Sequence, residues 1–310
     1  MKNALKMMSN VLLLFSLVIF TQEARSYDIE AKRNSVNSGV IGLLGGSPGG
    51  TYIQLANDLA DVLDDGYQMR LLPTSGKGSV RGVEDLLYLR GIDIAMVQSD
   101  VLDLYKELDV IPNLDKRIRY ITKLYNEEFH LLAKKSITSI DDLRGKKVNF
   151  GPSSSGSHMT AGLIFNQLGI SVNVRSKNYF PALESLKRGE IDAVVRVAGK
   201  PTSLFKDIAG DSGLHFVPIS PSRVKGAYSS ASIDSADYPN LVEPGESVET
   251  IAVGAVMAAY NWPKEHPRRQ TLEKFFDLFK ANFDRLLKPP YHPKWKEVSL
   301  EADVPNWSRF

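Results

Sequence analysis

The sequence contains no cysteine, which excludes three kinds of structural feature. Without a thiol the chain has no disulfide framework, no thiolate metal centre and no lipid-modified N-terminal cysteine. We therefore expect its hydrophobic core alone to hold it together. With 310 residues, of which 43% are hydrophobic and 24% charged, the chain is long enough for one large or two medium α/β domains.

Long apolar runs are also missing, and the one run near the N-terminus is short. Val11 to Phe20 covers ten residues, too few for a helix that spans a hydrocarbon core about 30 Å thick. Two lysines precede this run, and Ala24 and Ser26 follow it. The pattern predicts a secretory signal peptide over residues 1–26, and hence a periplasmic protein that does not itself span the membrane.

Little excess charge of either sign remains once that segment is removed. Residues 1–26 carry three cations (Lys2, Lys6 and Arg25) and one anion (Glu23), so the formal charge falls from +2 to 0. A neutral chain has no long-range attraction for a polyanion. The charge balance therefore argues against nucleic acid as a partner.

Motifs for metal binding and for phosphate binding are absent or broken. The five histidines show neither H-x-x-x-H nor H-E-x-x-H spacing, so no metal site and no cofactor is indicated. Gly76-Lys77-Gly78-Ser79 fails as a phosphate-binding P-loop, because that motif has Ser or Thr directly after its lysine.

One segment of the chain matches a catalytic motif. Gly45-Gly46-Ser47-Pro48-Gly49 matches the G-x-S-x-G nucleophile elbow and follows a predicted strand. The elbow uses the backbone N–H of the residue after the nucleophile, and Pro48 has none. We therefore expect no enzymatic activity, and a serine hydrolase that uses Ser47 is kept as a disfavoured alternative.

Apolar strand-like runs alternate with helical periods along the chain, which predicts an α/β fold with parallel strands covered by helices. In the first series we predict strands and helices at Val40–Leu44, Tyr52–Leu63, Gln68–Leu72, Ser79–Arg90 and Ile92–Val97. In the second series we predict them at Lys147–Phe150, Met159–Leu168, Val172–Arg175, Ala182–Arg188 and Asp192–Val197. The order of elements is the same in both, so two lobes of duplicated topology are expected.

The last third of the chain has a weaker pattern. The apolar run Ile251 to Ala259 predicts a strand that returns between the lobes, and a helix is predicted from Arg268 to Leu287. Its buried stripe would consist of Leu272, Phe275, Phe276, Phe279 and Phe283. The tail from Lys288, rich in proline and aromatics, is expected to lie along the surface.

Three loops lie between a predicted strand and the start of a predicted helix, at residues 45–51, 74–79 and 153–157. Helix N-termini at the carboxyl ends of strands expose N–H groups and a partial positive charge, which suits a carboxylate or a phosphate. Any one such loop is more often an ordinary turn or cap. Three of them, with Arg196 at the end of a strand as the preferred cation, predict a site for an anion.

Several segments together resemble the TAXI family, the solute receptors of tripartite ATP-independent periplasmic (TRAP) transporters. The resemblance rests on GGSPGGTY at 45–52, SGKGSV at 75–80, QSDV at 98–101, LRGKKV at 143–148 and the serine loop at 153–157. It spans nearly the whole chain after the predicted signal peptide. Its most distinctive part is Gln98-Ser99-Asp100, which follows Ile-Asp-Ile-Ala-Met-Val.

The resemblance implies a type II periplasmic-binding-protein fold, with two lobes that are each a mostly parallel sheet flanked by helices and are joined by two crossing strands. Lobe I would comprise residues 27–128 and 258–310, and lobe II residues 129–257. Such a receptor holds a solute in the interlobe cleft and delivers it to the membrane permease by hinge motion. A receptor that serves a sensor kinase or another transporter remains the alternative.

The loops and the resembling segments together give the expected ligand-binding residues. They are Ser47, Gly50, Thr51, Tyr52, Ser75, Lys77, Gly78, Ser79, Gln98, Ser99, Ser154, Ser155, Gly156, Ser157 and Arg196. Relatives of this kind favour glutamate, 2-oxoglutarate or similar acids. Where many of them have Asn-Gly-Ser this chain has Lys77-Gly78-Ser79, which adds a cation and favours an anion while leaving the solute open.

Overall fold

The structure is a computed structural model that describes residues 29–226 and 228–310. The predicted signal peptide lies outside these residues and stays a prediction. Among the helices of the described part, none has the length and apolar character needed to cross a membrane.

Lobe I is built on three parallel strands in the spatial order β2-β1-β3. The strands are β1 (Val40–Leu44), β2 (Arg70–Thr74) and β3 (Ile94–Gln98), connected by helices α1 (Thr51–Leu63) and α2 (Ser79–Tyr88). Helices α3 (Ser99–Glu107) and α4 (Leu114–Arg117) follow β3. Nearly every residue of β1 and β3 is buried, and for this reason both strands are visible in the sequence as short apolar runs.

Lobe II repeats this arrangement with strands in the order β6-β5-β7, again parallel. Its elements are β5 (Lys147–Asn149), α5 (Gly156–Gln167), β6 (Asn173–Arg175), α6 (Tyr179–Lys187) and β7 (Ala193–Ala198). The short helix α7 (Ser203–Lys206) comes after β7. The two lobes therefore have the same strand–helix order, as the sequence predicts.

Two long strands, β4 (Ile118–Lys134) and β10 (Ser247–Tyr260), run antiparallel to each other through both lobes. In lobe I, β10 pairs with β3, and in lobe II, β4 pairs with β7. Two shorter strands complete the sheet: β8 (Leu214–Phe216) pairs with β4, and β9 (Ser229–Asp234) pairs with β10. Two α/β lobes joined by two crossing strands is the architecture that the resemblance implies, so the fold-class prediction is confirmed. Of the predicted lobe boundaries, the one at 128/129 falls within β4 and the one at 257/258 within β10. Both stay predictions.

Hydrophobic clusters cover both faces of each lobe's sheet. In lobe I, helix α8 (Pro267–Leu286) buries Leu272, Phe275 and Phe279, as its periodicity predicts, while Phe276 and Phe283 are only partly buried. The cores hold the helices in fixed positions on the sheet. This rigidity fixes where the helix N-termini point.

The tail from Lys288 is exposed over much of its length, but it also contributes side chains to the core, which the sequence pattern does not indicate. Trp295 is fully buried, and its ring lies 5.9 Å from that of Phe279 and 6.4 Å from that of Phe283. Its indole N–H donates to Asp58 at 2.8 Å. Farther along, Val304 and Trp307 join the second core of lobe I. Irregular backbone has no period, so a periodicity argument does not detect isolated aromatic residues that are buried.

Candidate functional site

A cavity of about 400 Å³ lies between the two lobes. The first residues of α1 and α2 line it from lobe I, and those of α5 and α6 line it from lobe II. None of these four helices has an acidic side chain in its first turn. Their N–H groups and helix dipoles therefore contribute positive potential to the cavity.

Two glycines allow the lobes to approach closely at this cavity. Gly78 precedes α2 with φ of 107°, and a Cβ built on it would lie 2.6 Å from Cα of Ser155. A Cβ built on Gly156 would lie 1.4 Å from Oε1 of Gln98. A larger residue at position 78 would collide with the backbone of Ser155, and one at position 156 would have to displace the Gln98 side chain.

Hydrogen bonds cross the cleft at several points. The Ser154 hydroxyl donates to the carbonyl of Lys77 at 3.0 Å, and the Ser203 hydroxyl donates to the carbonyl of Gly49 at 2.9 Å. Deeper along the interface, Thr160 Oγ1 on α5 donates to Oδ2 of Asp100 on α3 at 2.6 Å. The structure therefore shows the lobes closed on each other.

Arg196 supplies a cation from strand β7. Its guanidinium lies over the ring of Tyr179, 4.1 Å from the centroid, and its Nη2 lies 3.2 Å from the position that a Cβ on Gly50 would occupy. Within the part of the chain that the structure describes, no carboxylate oxygen lies within 4.0 Å of it. The aromatic contact orients the guanidinium and leaves its N–H groups able to donate to a ligand.

Glu127 on β4 is the one acidic residue among the described residues that line the cavity. Its side chain is buried, and the Tyr52 hydroxyl donates to its Oε2 at 2.6 Å. Burial raises the pKa of Glu127 to about 8, against the opposing effects of the Tyr52 hydrogen bond and the Arg196 charge. At neutral pH the carboxyl therefore carries its proton and leaves the charge of Arg196 uncompensated.

Gln98, at the end of β3, has a buried amide beside the cavity, packed against Gly156. The residue is 2% exposed, and neither its Oε1 nor its Nε2 has a hydrogen-bond partner within the described residues. Its backbone N–H donates to Ser79 Oγ at 3.1 Å, which fixes the strand end against the start of α2. A buried amide without hydrogen-bond partners costs stability.

A buried chain of hydrogen bonds holds the lobe II side of the cavity in place. The Thr202 N–H donates to Tyr238 Oη at 2.7 Å, and Tyr238 Oη is 2.8 Å from Nε2 of His130. His130 Nδ1 contacts the carbonyls of Glu128 and Arg196, so Nδ1 carries the proton and Nε2 accepts from Tyr238. Burial lowers the pKa of His130 to about 3, so the network keeps one protonation state across the physiological range.

Comparison with known proteins assigns a family. The sequence profile of the NMT1-like family matches residues 43–304, which is most of the chain. The chain belongs to the NMT1-like family. This NMT1-like protein is also similar in structure to an amino acid ABC transporter substrate-binding protein from Streptococcus pneumoniae bound to L-arginine. That alignment has 15% identity and a TM-score of 0.43 and covers 84% of this chain and 95% of the other.

Two further solved structures are similar to the NMT1-like chain. A TctC solute-binding protein from Polaromonas shares 16% identity, with a TM-score of 0.44, over 79% of this chain and 88% of the other. The regulatory domain of CcmR from Synechocystis, solved in complex with 2-PG, shares 12% identity, with a TM-score of 0.48, over 79% of this chain and 98% of the other.

Most of the residues that the sequence predicts for the site line the cavity of this NMT1-like protein. They are Ser47, Gly50, Thr51, Tyr52, Lys77, Gly78, Ser79, Gln98, Ser155, Gly156, Ser157 and Arg196. Ser75, Ser99 and Ser154 lie outside the lining residues, and Ser154 instead bonds across the cleft. That these residues bind a ligand stays a prediction.

Some residues that line the cavity are not among those predicted from the sequence. These residues lie at the ends of the loops after β6 and β7 and at the starts of α6 and α7, the same strand–loop–helix arrangement as in the three predicted loops: Asn178, Tyr179, Phe180, Thr202 and Ser203. Glu127 was missed as well, because it lies within strand β4 and not in a strand-to-helix loop.

Among the described residues we find neither a cluster that could hold a metal ion nor a histidine in the cavity lining that could activate Ser47. They contain no group of three or more His, Asp or Glu side chains arranged to hold a metal ion. None of the described residues that line the cavity beside Ser47 is a histidine. His158, next to the serine loop, bonds through Nδ1 to the carbonyl of Gly151 and lies outside the lining.

Proposed function

We propose that this NMT1-like protein is an extracytoplasmic solute receptor of the TAXI type, which captures a small carboxylate in the interlobe cleft and delivers it to the membrane permease of a TRAP transporter. The observation that carries the proposal is the convergence of helix N-termini from two lobes, together with Arg196, on one cavity. The motifs that resemble the TAXI family contribute most of that lining.

The electrostatics of the cleft favour an anion. Among the described residues of the lining, Arg196 and Lys77 are the cations, and Glu127 is the one acid, held in its neutral form by burial. A guanidinium binds a carboxylate through two parallel hydrogen bonds, and the helix N-termini add N–H donors. The cavity volume of about 400 Å³ suits a small molecule.

The two-lobed arrangement explains how binding would be coupled to delivery. A ligand that contacts Arg196 in lobe II and the starts of α1 and α2 in lobe I stabilises the closed state over the open state. The crossing strands β4 and β10 are the connections about which the lobes would open. Opening at the permease would then release the solute.

The proposal is tested by a thermal-shift screen of the purified protein against dicarboxylates, amino acids and oxoacids. A ligand at 100 times its dissociation constant should add about 2.7 kcal/mol to the stability, which is readily measured. Arg196→Ala should abolish the shift while leaving the melting temperature without ligand nearly unchanged. The matched control is Arg188→Ala, whose side chain is 57% exposed and ion-paired with Glu190 away from the cavity. If Arg196→Ala retains the full shift, Arg196 does not bind the ligand.

Export and delivery need separate tests. Full-length protein expressed in a Gram-negative host should be recovered from the periplasmic fraction with Tyr27 as its first residue. Uptake of the labelled ligand should require both this chain and a TRAP permease encoded beside it. If uptake proceeds without that permease, or the permease works without this chain, the receptor serves another system.

A further inference from the structure

Glu127 is unusual among the cavity residues because it is a buried acid with very little to stabilise its charge. It is 4% exposed, and its Oε2 accepts one hydrogen bond, from Tyr52. No bond to its other carboxyl oxygen is found within the described residues, and none of their lysine, arginine or histidine nitrogens lies within 4.0 Å. A buried carboxylate that lacks a counterion usually takes up a proton instead.

The groups around Glu127 come from four elements. They are Tyr52 on α1, Asp100 on α3, Tyr125 and Glu128 on β4 itself, and Arg196 on β7. Two of these, Glu128 and Asp100, are acids whose charge also favours the protonated form of Glu127, and Arg196 opposes it from beyond 4.0 Å. Tyr52 donates its only proton to Oε2, so the Glu127 proton belongs on the oxygen that Tyr52 does not contact.

We propose that Glu127 enters the binding reaction protonated and donates a hydrogen bond to an acceptor oxygen of the ligand, while Arg196 holds the ligand's carboxylate. This inference rests on the proposed binding of a carboxylate in the cleft. It narrows the ligand class to acids whose second polar group is an oxo or hydroxyl oxygen. An α-ammonium group would meet a neutral donor at this position and would leave its own N–H groups unpaired.

The pKa of Glu127, raised to about 8 by burial, sets the expected pH dependence. The protonated carboxyl is the binding form, so affinity holds below pH 7 and falls as Glu127 loses its proton. Between pH 7 and pH 9 the affinity should fall about tenfold. Asp100, with a pKa raised to about 6, is already ionised throughout this window.

The test uses calorimetric titration with matched acids that differ only in an oxo or an ammonium group: pyruvate and alanine, oxaloacetate and aspartate, 2-oxoglutarate and glutamate. At pH 7 the oxo member of at least one pair should bind more tightly than its amino partner. Glu127→Gln keeps a neutral donor of the same shape, so it should bind the oxoacid within about threefold of the wild type. Its affinity should no longer change between pH 7 and pH 9. Glu190→Gln, at an exposed site outside the cavity, should keep the wild-type pH dependence.

A readout without ligand separates this role from a purely structural one. The infrared difference spectrum between pH 7 and pH 9 should contain a protonated-carboxyl band that Glu127→Gln lacks. A different result would overturn this inference: the amino acid binds more tightly than the oxoacid, its binding releases a proton, and Glu127→Gln no longer binds it. Glu127 would then act as an ionised partner of the ammonium group, and the receptor function would still stand. If no acid binds the wild type, both the inference and the carboxylate assignment fail.

Discussion

At the scale of single residues, Lys294 shows how a buried ion pair links segments that are distant along the chain. It is 1% exposed and donates to Glu128 Oε1 at 2.8 Å, to the Asn126 carbonyl and to Glu297. Glu128 in turn accepts from the backbone N–H of Lys200 at 3.0 Å. The pair therefore joins the C-terminal segment, the crossing strand β4 and the loop after β7.

Lys294→Met should destabilise the protein by roughly 3–5 kcal/mol, because it leaves Glu128 buried without its counterion. Lys296→Met, two residues along and exposed, should change the stability by less than about 0.5 kcal/mol. The midpoint of denaturant unfolding measures both. Equal effects of the two substitutions would show that the buried ion pair is not important for stability.

Most of the serines and glycines that line the cavity could be predicted, because they lie in a strand-to-helix loop or at the start of the helix that follows it, and Arg196 because it lies near the end of a strand. Glu127 and Lys294 could not. Whether a charge inside an apolar segment is buried, and what it pairs with, depends on residues more than 50 positions away, such as Tyr52 for Glu127 and Glu128 for Lys294. Local pattern carries no information about such partners.

At the scale of elements, helix α5 offers a matched pair of glycine substitutions. A Cβ on Gly156 would collide with Gln98 across the cleft, whereas a Cβ on Gly162, in the same helix, meets nothing within 4 Å. Gly156→Ala should keep the fold but hinder closure and weaken ligand binding by about tenfold or more. Gly162→Ala should leave binding unchanged and raise the stability by up to about 1 kcal/mol. Ligand titration and melting temperatures distinguish the two, and normal affinity in Gly156→Ala would mean that the lobes do not need this close contact.

Strands and helices with strong periodicity are predicted to within about three residues, β1 and α8 among them. The crossing strand β4 is largely missed, since Arg, Lys and Glu interrupt its first half and only Phe129 to Ala133 reads as an apolar run. The serine-rich strand β9 is missed as well, because it lies at an edge and has few buried residues. Both strands depend on pairing with β10, which is a long-range contact.

At the scale of the whole molecule, the duplicated topology is what brings the distant loops together. The strands of lobe I lie in the spatial order β2-β1-β3-β10, and those of lobe II in the order β6-β5-β7-β4. Corresponding strands in the two lobes have the same relative directions. Because the crossing strands pair with each other, the carboxyl ends of the two parallel sheets face one cleft. A repeat of element order along the chain therefore predicts a shared site, although it does not predict which acids and amides complete it.

Closure itself should depend on pH through Asp100, which lies on the interface and outside the cavity lining. Thr160 and Tyr228 of lobe II both donate to its Oδ2, at 2.6 and 3.2 Å. Burial raises the pKa of Asp100 from 3.8 to about 6 in this closed state. In an open state the carboxyl would meet water and return towards its ordinary pKa, so closing takes up a proton between roughly pH 4 and pH 6.

Lowering the pH from 7 to 5 should therefore shift the ligand-free protein towards the closed state, by about tenfold in the ratio of closed to open forms. Small-angle X-ray scattering should record a smaller radius of gyration at pH 5 than at pH 7. Asp100→Asn cannot take up this proton, so its radius of gyration should not change between the two values. If the variant and the wild type contract equally, another group drives the pH dependence of closure, and Asp100 serves only to position Thr160 and Tyr228.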